Sequence, residues 1–112
     1  MIEAIGTGSR VRATRPLAGA TPGYLRLPLR LADGLAGFPH RRAVTRLGVA
    51  RSYPSILPRI PRVRQSVDDA AGVWPGGEEL VRTLCTAPTH SLLTGDERSQ
   101  LIQQLQAYER RA

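Results

Sequence analysis

His90 in Ala-Pro-Thr-His, Tyr53 in Ser-Tyr-Pro and Arg59 in an arginine-and-proline run are the residues whose types and settings suggest work on a substrate. An imidazole at a domain junction can line a site near substrate or cofactor, whereas one that bonds only to backbone fixes the extended step around it. Both readings stand for His90. A tyrosine placed like Tyr53 reaches a substrate hydroxyl or phosphate with its phenol, or packs its ring at the end of a short strand. Arg59, with Arg51, Arg62 and Arg64, offers guanidinium forks suited to phosphate oxygens such as those of a pyrophosphate. A solvated basic face is the plainer alternative. Ser52 and Ser55 do not make a hydrolase with His90, because no Gly-x-Ser-x-Gly elbow exists and no acid is defined as a third member.

Other groups are excluded more firmly. Cys85 is the only cysteine and cannot form an internal disulfide, and the two histidines stand far apart, so no metal-ligand spacing exists. Cys85 reads as a small buried apolar group, and Trp74, ahead of Pro75, as a core or staple residue of a helix start. Gly6, Thr7 and Gly8 lack the lysine and the strand-then-helix setting of a phosphate loop. All sixteen basic residues are arginine, so no reaction that needs a lysine amine is open to these residues, Schiff-base formation included. Met1 to Arg64 holds twelve arginines against Glu3 and Asp33, about +10, while the remainder is about −3. Such asymmetry suits phosphate or an acidic partner. No run approaches the roughly 18 apolar residues of a membrane helix, and the start has no apolar signal segment, so the expected compartment is the cytoplasm.

These side chains need elements to hold them. Residues 1–23 show no periodicity and are expected to form an irregular or disordered arm, with one domain over 24–112. In "YLRLPLRL", Leu25, Leu27, Leu29 and Leu31 alternate with Tyr24, Arg26, Pro28 and Arg30, which predicts a half-buried strand. Pro28 lacks an N–H and makes it an edge strand or a broken one. Ala43, Val44 and Leu47 predict a short helix closed by Gly48. "VARSYP" is a short strand stopped by Pro54, and "SILPRIPRVRQ" has room for no more than a helical turn. "PGGEELVRTLC" starts a helix at Pro75 with Leu80, Val81 and Leu84 as its stripe, and "TAPTHSLL" is an extended step. Thr94 and Glu97 make a capping box ahead of a last helix with Leu101, Ile102, Leu105 and Tyr108 on one face and Arg98, Gln103, Gln104 and Arg110 on the other. An α+β fold follows, a small sheet of two to three strands covered by about three helices.

Four segments in this order carry a resemblance: the Arg-x-Pro strand "RLPLRL", "LGV" followed by "SYP", the helix start "PGGEE", and "PTH" before the last helix. Together they resemble the C-terminal small domain of the DegT/DnrJ-type aminotransferases, fold-type I pyridoxal-phosphate enzymes that mostly aminate nucleotide-linked keto-sugars. The resemblance runs from Gly23 to about Tyr108. It implies a missing large domain, in cis or as a separate chain, that carries the cofactor lysine, and it implies pyridoxal phosphate for the complete enzyme but no cofactor in these residues alone. It also implies Tyr53 as a substrate contact, beside Arg59 and His90, which are read as substrate-binding from their own chemistry. One departure stands out: the family's Tyr-Pro step often leads to Leu-His, and here Ile56-Leu57 leads to Pro58.

The chain therefore reads as an enzyme part, inactive alone. The alternative is a stand-alone basic module for nucleic acid or another polyanion. Five scattered aromatics, from Tyr24 to Tyr108, leave little for base stacking and count against nucleic acid. A remnant that forms a homodimer is a third reading.

Overall fold

The computed structural model describes residues 8–21, 23, 25–90 and 92–111. Its frame is an antiparallel sheet of four strands, β1 (Val11–Ala13), β2 (Arg26–Leu31), β3 (Ala50–Arg51) and β4 (Leu84–Pro88), in the order β1-β2-β4-β3. Four helices accompany it: α1 (Arg41–Arg46), the single turn α2 (Pro61–Arg64), α3 (Pro75–Thr83) and α4 (Gly95–Arg110). The α+β architecture is the one expected, with one strand more. The added strand is β1, inside the stretch read as an irregular arm. Tyr24, Gly6 and Thr7 lie outside the described residues.

Period-2 burial builds the main layer. Leu27, Leu29 and Leu31 of β2 are buried while Arg26 and Arg30 are exposed, and Cys85 and Ala87 of β4 continue the same face. The register sets Leu29 opposite Cys85 and Leu27 opposite Ala87, with Val11 of β1 opposite Leu31. Leu25 precedes the strand and is 92% exposed, so the expected alternation starts two residues late. Pro28 nonetheless sits in a central strand. Its carbonyl accepts from Thr14 N–H at 3.1 Å, so the donor it lacks would face β1, and β1 has already ended at Ala13. The proline is tolerated because it stands where that ladder stops.

Helix α4 closes the buried face with Leu101, Leu105 and Tyr108. Thr94 and Glu97 form the reciprocal capping box at its start. Ile102 and Gln104 are only half-buried, and Gln104 Oε1 is enclosed without a partner among the described residues, so Gln104 does not point away as its position suggested. Two consecutive residues then tie the helix end to the sheet. The Tyr108 hydroxyl accepts from Asp33 N–H at 2.8 Å and donates to Gly34 O at 2.9 Å, and its ring meets Phe38 edge-on at 4.7 Å. A Cβ on Gly37 would lie 2.4 Å from that hydroxyl, so the ring fits only beside a glycine. The Glu109 carboxylate accepts backbone N–H groups from Ser9 at 2.8 Å, Arg10 at 3.0 Å and Val11 at 2.7 Å, which pins β1.

Helix α1 seats Val44 and Leu47 in the same core. It ends as expected at Gly48, at φ +94°, with Gly48 N–H bonded to Thr45 O and Val49 N–H to Val44 O. The predicted helix from Pro75 stops earlier than its apolar stripe implied. Leu84 opens β4 instead, directly after Thr83, and Leu80 remains 43% exposed. Pairing with β2 and β3 on both sides outweighs one more helical turn there. Among the described residues, no helix is long and apolar enough to cross a membrane.

Candidate functional site

The arginine-and-proline run has no partner strand. Pro54, Pro58 and Pro61 remove backbone donors at short intervals, so the chain after β3 forms a 3-10 turn, Leu57–Arg59, and then only the turn α2. Its apolar side chains face α3 across an open groove of about 500 Å³. Ile56, Leu57 and Pro58 form one wall, Trp74, Leu80 and Val81 the other, and Tyr53 and Ser55 stand among them. Tyr53 is 61% exposed and Leu57 63%, which marks the groove as surface and not as unfinished core. Trp74, read as a core or staple residue, is half-buried and lines this groove.

Tyr53 thus lines the groove, whereas Arg59 follows the wall residue Pro58 without lining it, and its Nε lies 3.4 Å from Glu78 Oε1, linking the 3-10 turn to the first turn of α3. Both side chains of that pair are about half-exposed, so it adds little to stability. His90 is elsewhere. It borders a separate depression of about 270 Å³ with Thr89, Leu93 and Arg98, just after β4. Of the three expected substrate residues, Tyr53 lines the groove, Arg59 is next in sequence to its wall, and His90 lies outside it.

The groove's chemistry is that of binding. Ser55 Oγ donates to Ile56 O at 3.1 Å, and no imidazole or carboxylate lines the groove to activate that hydroxyl or the Tyr53 phenol. Among the described residues, no group of three His, Cys, Asp or Glu side chains is placed to hold a metal ion. Cys85 is buried, and desolvation pushes its thiol pKa up against the opposing charge of Arg51, so it stays protonated and unreactive. Ser52 Oγ is enclosed and has no partner among the described residues.

Sequence reasoning missed the groove as a unit. Ile56, Leu57, Trp74 and Leu80 were legible one by one as apolar residues, but their meeting depends on how the proline-broken segment crosses α3. One signal was present: apolar residues threaded between prolines have no ladder or helix face through which to be buried. Compared with known protein families, curated proteins and solved structures, the chain matches none.

Proposed function

We propose that the chain is the small-domain part of a DegT/DnrJ-type pyridoxal-phosphate aminotransferase acting on nucleotide-linked keto-sugars, and that it contributes binding surface and not bond-making groups. The observation that carries this reading is the placement of the four resembling segments on one sheet. "RLPLRL" contains β2, "LGV…SYP" brackets β3, "PGGEE" begins the helix that runs directly into β4, and "PTH" begins at the last residue of β4. Segments scattered over the sequence converge on three adjacent strands, and two of them, through Tyr53 and Gly77, also line the groove.

The residues at the groove do not fit pyridoxal phosphate itself. The chain has no lysine, and the polar side chains that line the groove are the two hydroxyls of Tyr53 and Ser55. Bond-making belongs to a lysine-bearing domain supplied in cis or by another chain. Against that domain, the exposed apolar walls would lose water, and Tyr53 in the groove and Arg59 beside its wall would offer a phenol and a guanidinium to substrate oxygens.

The test is complementation. A lysine-bearing large domain from a DegT/DnrJ-type enzyme, deprived of its own small domain, is co-expressed with this chain, with the enzyme's own small domain as the positive control. Co-purification with a bound pyridoxal chromophore is expected. Success of the control with no complex for this chain would reject the reading. The alternative of a basic module has one observation on its side: Arg41, Arg42 and Arg46 stand together on α1 without a carboxylate partner.

A further inference from the structure

Nine of the sixteen arginines make a contrast between six with a partner in the fold and three crowded together without one among the described residues. Arg10 pairs with Asp33, Arg30 and Arg82 with Glu79, and Arg59 with Glu78, while Arg26 and Arg111 donate to the carbonyls of Gly48 and Gly37. These six have structural partners. Arg41, Arg42 and Arg46 have none among the described residues, although they are crowded onto one helix of six residues. That crowding opposes the helix's own preferences. Arg42 and Arg46 are like charges four apart, and the first turn holds Arg41 and Arg42 and no acid. The helix is held instead by buried Val44 and by the Gly48 cap. Its backbone is anchored while its cations stay uncompensated.

The surface around them is shaped. Two adjoining depressions, of about 530 and 440 Å³, are both bordered by Arg41, Arg42 and Arg46, with His40 completing the first and Thr45 the second. Among the described residues no carboxylate borders either one, and the His40 imidazole is the one ring, at the first. A ligand there meets three guanidiniums side by side and no opposing carboxylate, which suits oxyanions repeated along a chain better than a single one. We propose that this face of α1 binds a run of two or more phosphates, recognised through its oxygens by the three guanidiniums. The site is independent of the aminotransferase reading.

The experiment is a titration of the 15N-labelled full chain with sodium tripolyphosphate, followed by backbone amide shifts. Saturable shifts concentrated on residues 40–46 are expected. The double variant Arg42→Gln/Arg46→Gln should weaken binding about tenfold or more. Arg62→Gln/Arg64→Gln, which removes two other exposed arginines, should leave it little changed. All four side chains are on the surface, and circular dichroism confirms that both variants remain folded. A competing oligothymidylate distinguishes sources: displacement of tripolyphosphate identifies a nucleic-acid strand as the ligand type, and failure to displace identifies a free or small-molecule polyphosphate. Either result upholds the site. The proposal is overturned if sulfate at matched ionic strength produces the same shifts, if no saturation occurs, or if the Arg62/Arg64 variant weakens binding as much as the Arg42/Arg46 variant.

Discussion

The sheet edge held by Tyr108 and Glu109 and the stretch from Ala50 to Arg82 are built from similar residues and treat them in opposite ways. At the first, β1, β2 and α4 place Val11, Leu27, Leu29, Leu31, Leu101 and Leu105 in full burial, and the polar atoms at the helix end each find a backbone partner. Across the second, no apolar side chain is fully buried. The difference is in the backbone. Regular strands and a capped helix offer continuous faces that cover one another, whereas a segment broken by Pro54, Pro58 and Pro61 offers side chains one at a time. One end of the molecule thus buries its apolar residues, and the other is left with them at the surface.

The largest break in this contrast should come from Tyr108. Replacing it with alanine removes a buried ring and should lower stability by about 3–5 kcal/mol in urea unfolding. Tyr108→Phe keeps the ring but leaves Asp33 N–H and Gly34 O without their partner, at a cost of about 1–3 kcal/mol. Equal stability of Tyr108→Phe and the native chain would show that the hydroxyl bonds are incidental. Burial raises the Tyr108 pKa, against the lowering effect of the N–H it accepts from Asp33. The folded state therefore keeps this proton longer than the unfolded chain does. Its contribution is complete below the ordinary tyrosine value of about 10 and is lost as pH rises through the folded value.

Glu109→Gln should rank second, at about 1–2 kcal/mol, since a neutral amide accepts hydrogen bonds less strongly than a carboxylate. Amides of Arg10 and Val11 should exchange faster in this variant. Partial burial raises the Glu109 pKa, but the N–H groups of Val11, Arg10 and Ser9 lower it by more, so the net shift is downward. The stabilisation is then present above the ordinary glutamate value of about 4.3 and fades as pH falls through the folded value. The gap between native chain and variant should close in acid. A gap that persists there would assign the effect to packing.

Thr94→Ala removes the side-chain acceptor of the capping box and should cost about 1 kcal/mol, read from the thermal midpoint. The smallest effect on stability is expected in the groove. Leu57→Ser should change it by no more than about 0.5 kcal/mol, yet weaken the complex in the complementation experiment. A loss in Leu57→Ser as large as in Thr94→Ala would mean that the groove is core after all, and the contrast between the two ends would fail.

Strong local rules were legible before the fold was known. The Thr94–Glu97 box and the Gly48 cap rest on neighbours within a few residues and appear where they were read, and the alternation read from Tyr24 to Leu31 holds from Arg26 onward, with Leu25 exposed. Strand β1 was not legible, because three residues with no pattern of their own become a strand only when β2 offers an edge and Glu109, about a hundred positions away, holds their amides. The helix ending at Thr83 was misread for the same reason: Leu84 has a helical neighbour on one side and two strands waiting on the other. Of the candidate site, Tyr53 was legible by type, but the groove it lines was not, Arg59 stands beside that groove's wall without lining it, and His90 faces a different depression.

By itself the sequence determined what is chemically impossible and what is locally compelled. Without lysine no Schiff base forms on these residues, with one cysteine no internal disulfide forms, and glycine, threonine and proline set caps and breaks through their own geometry. Tertiary structure alone decided which apolar residues are core and which are surface, and which arginines are compensated. Those properties depend on partners far away in the chain: Leu31 is buried because α4 covers its face, Leu57 is exposed because nothing covers it, and Arg10 is neutralised by Asp33 while Arg42 meets no acid.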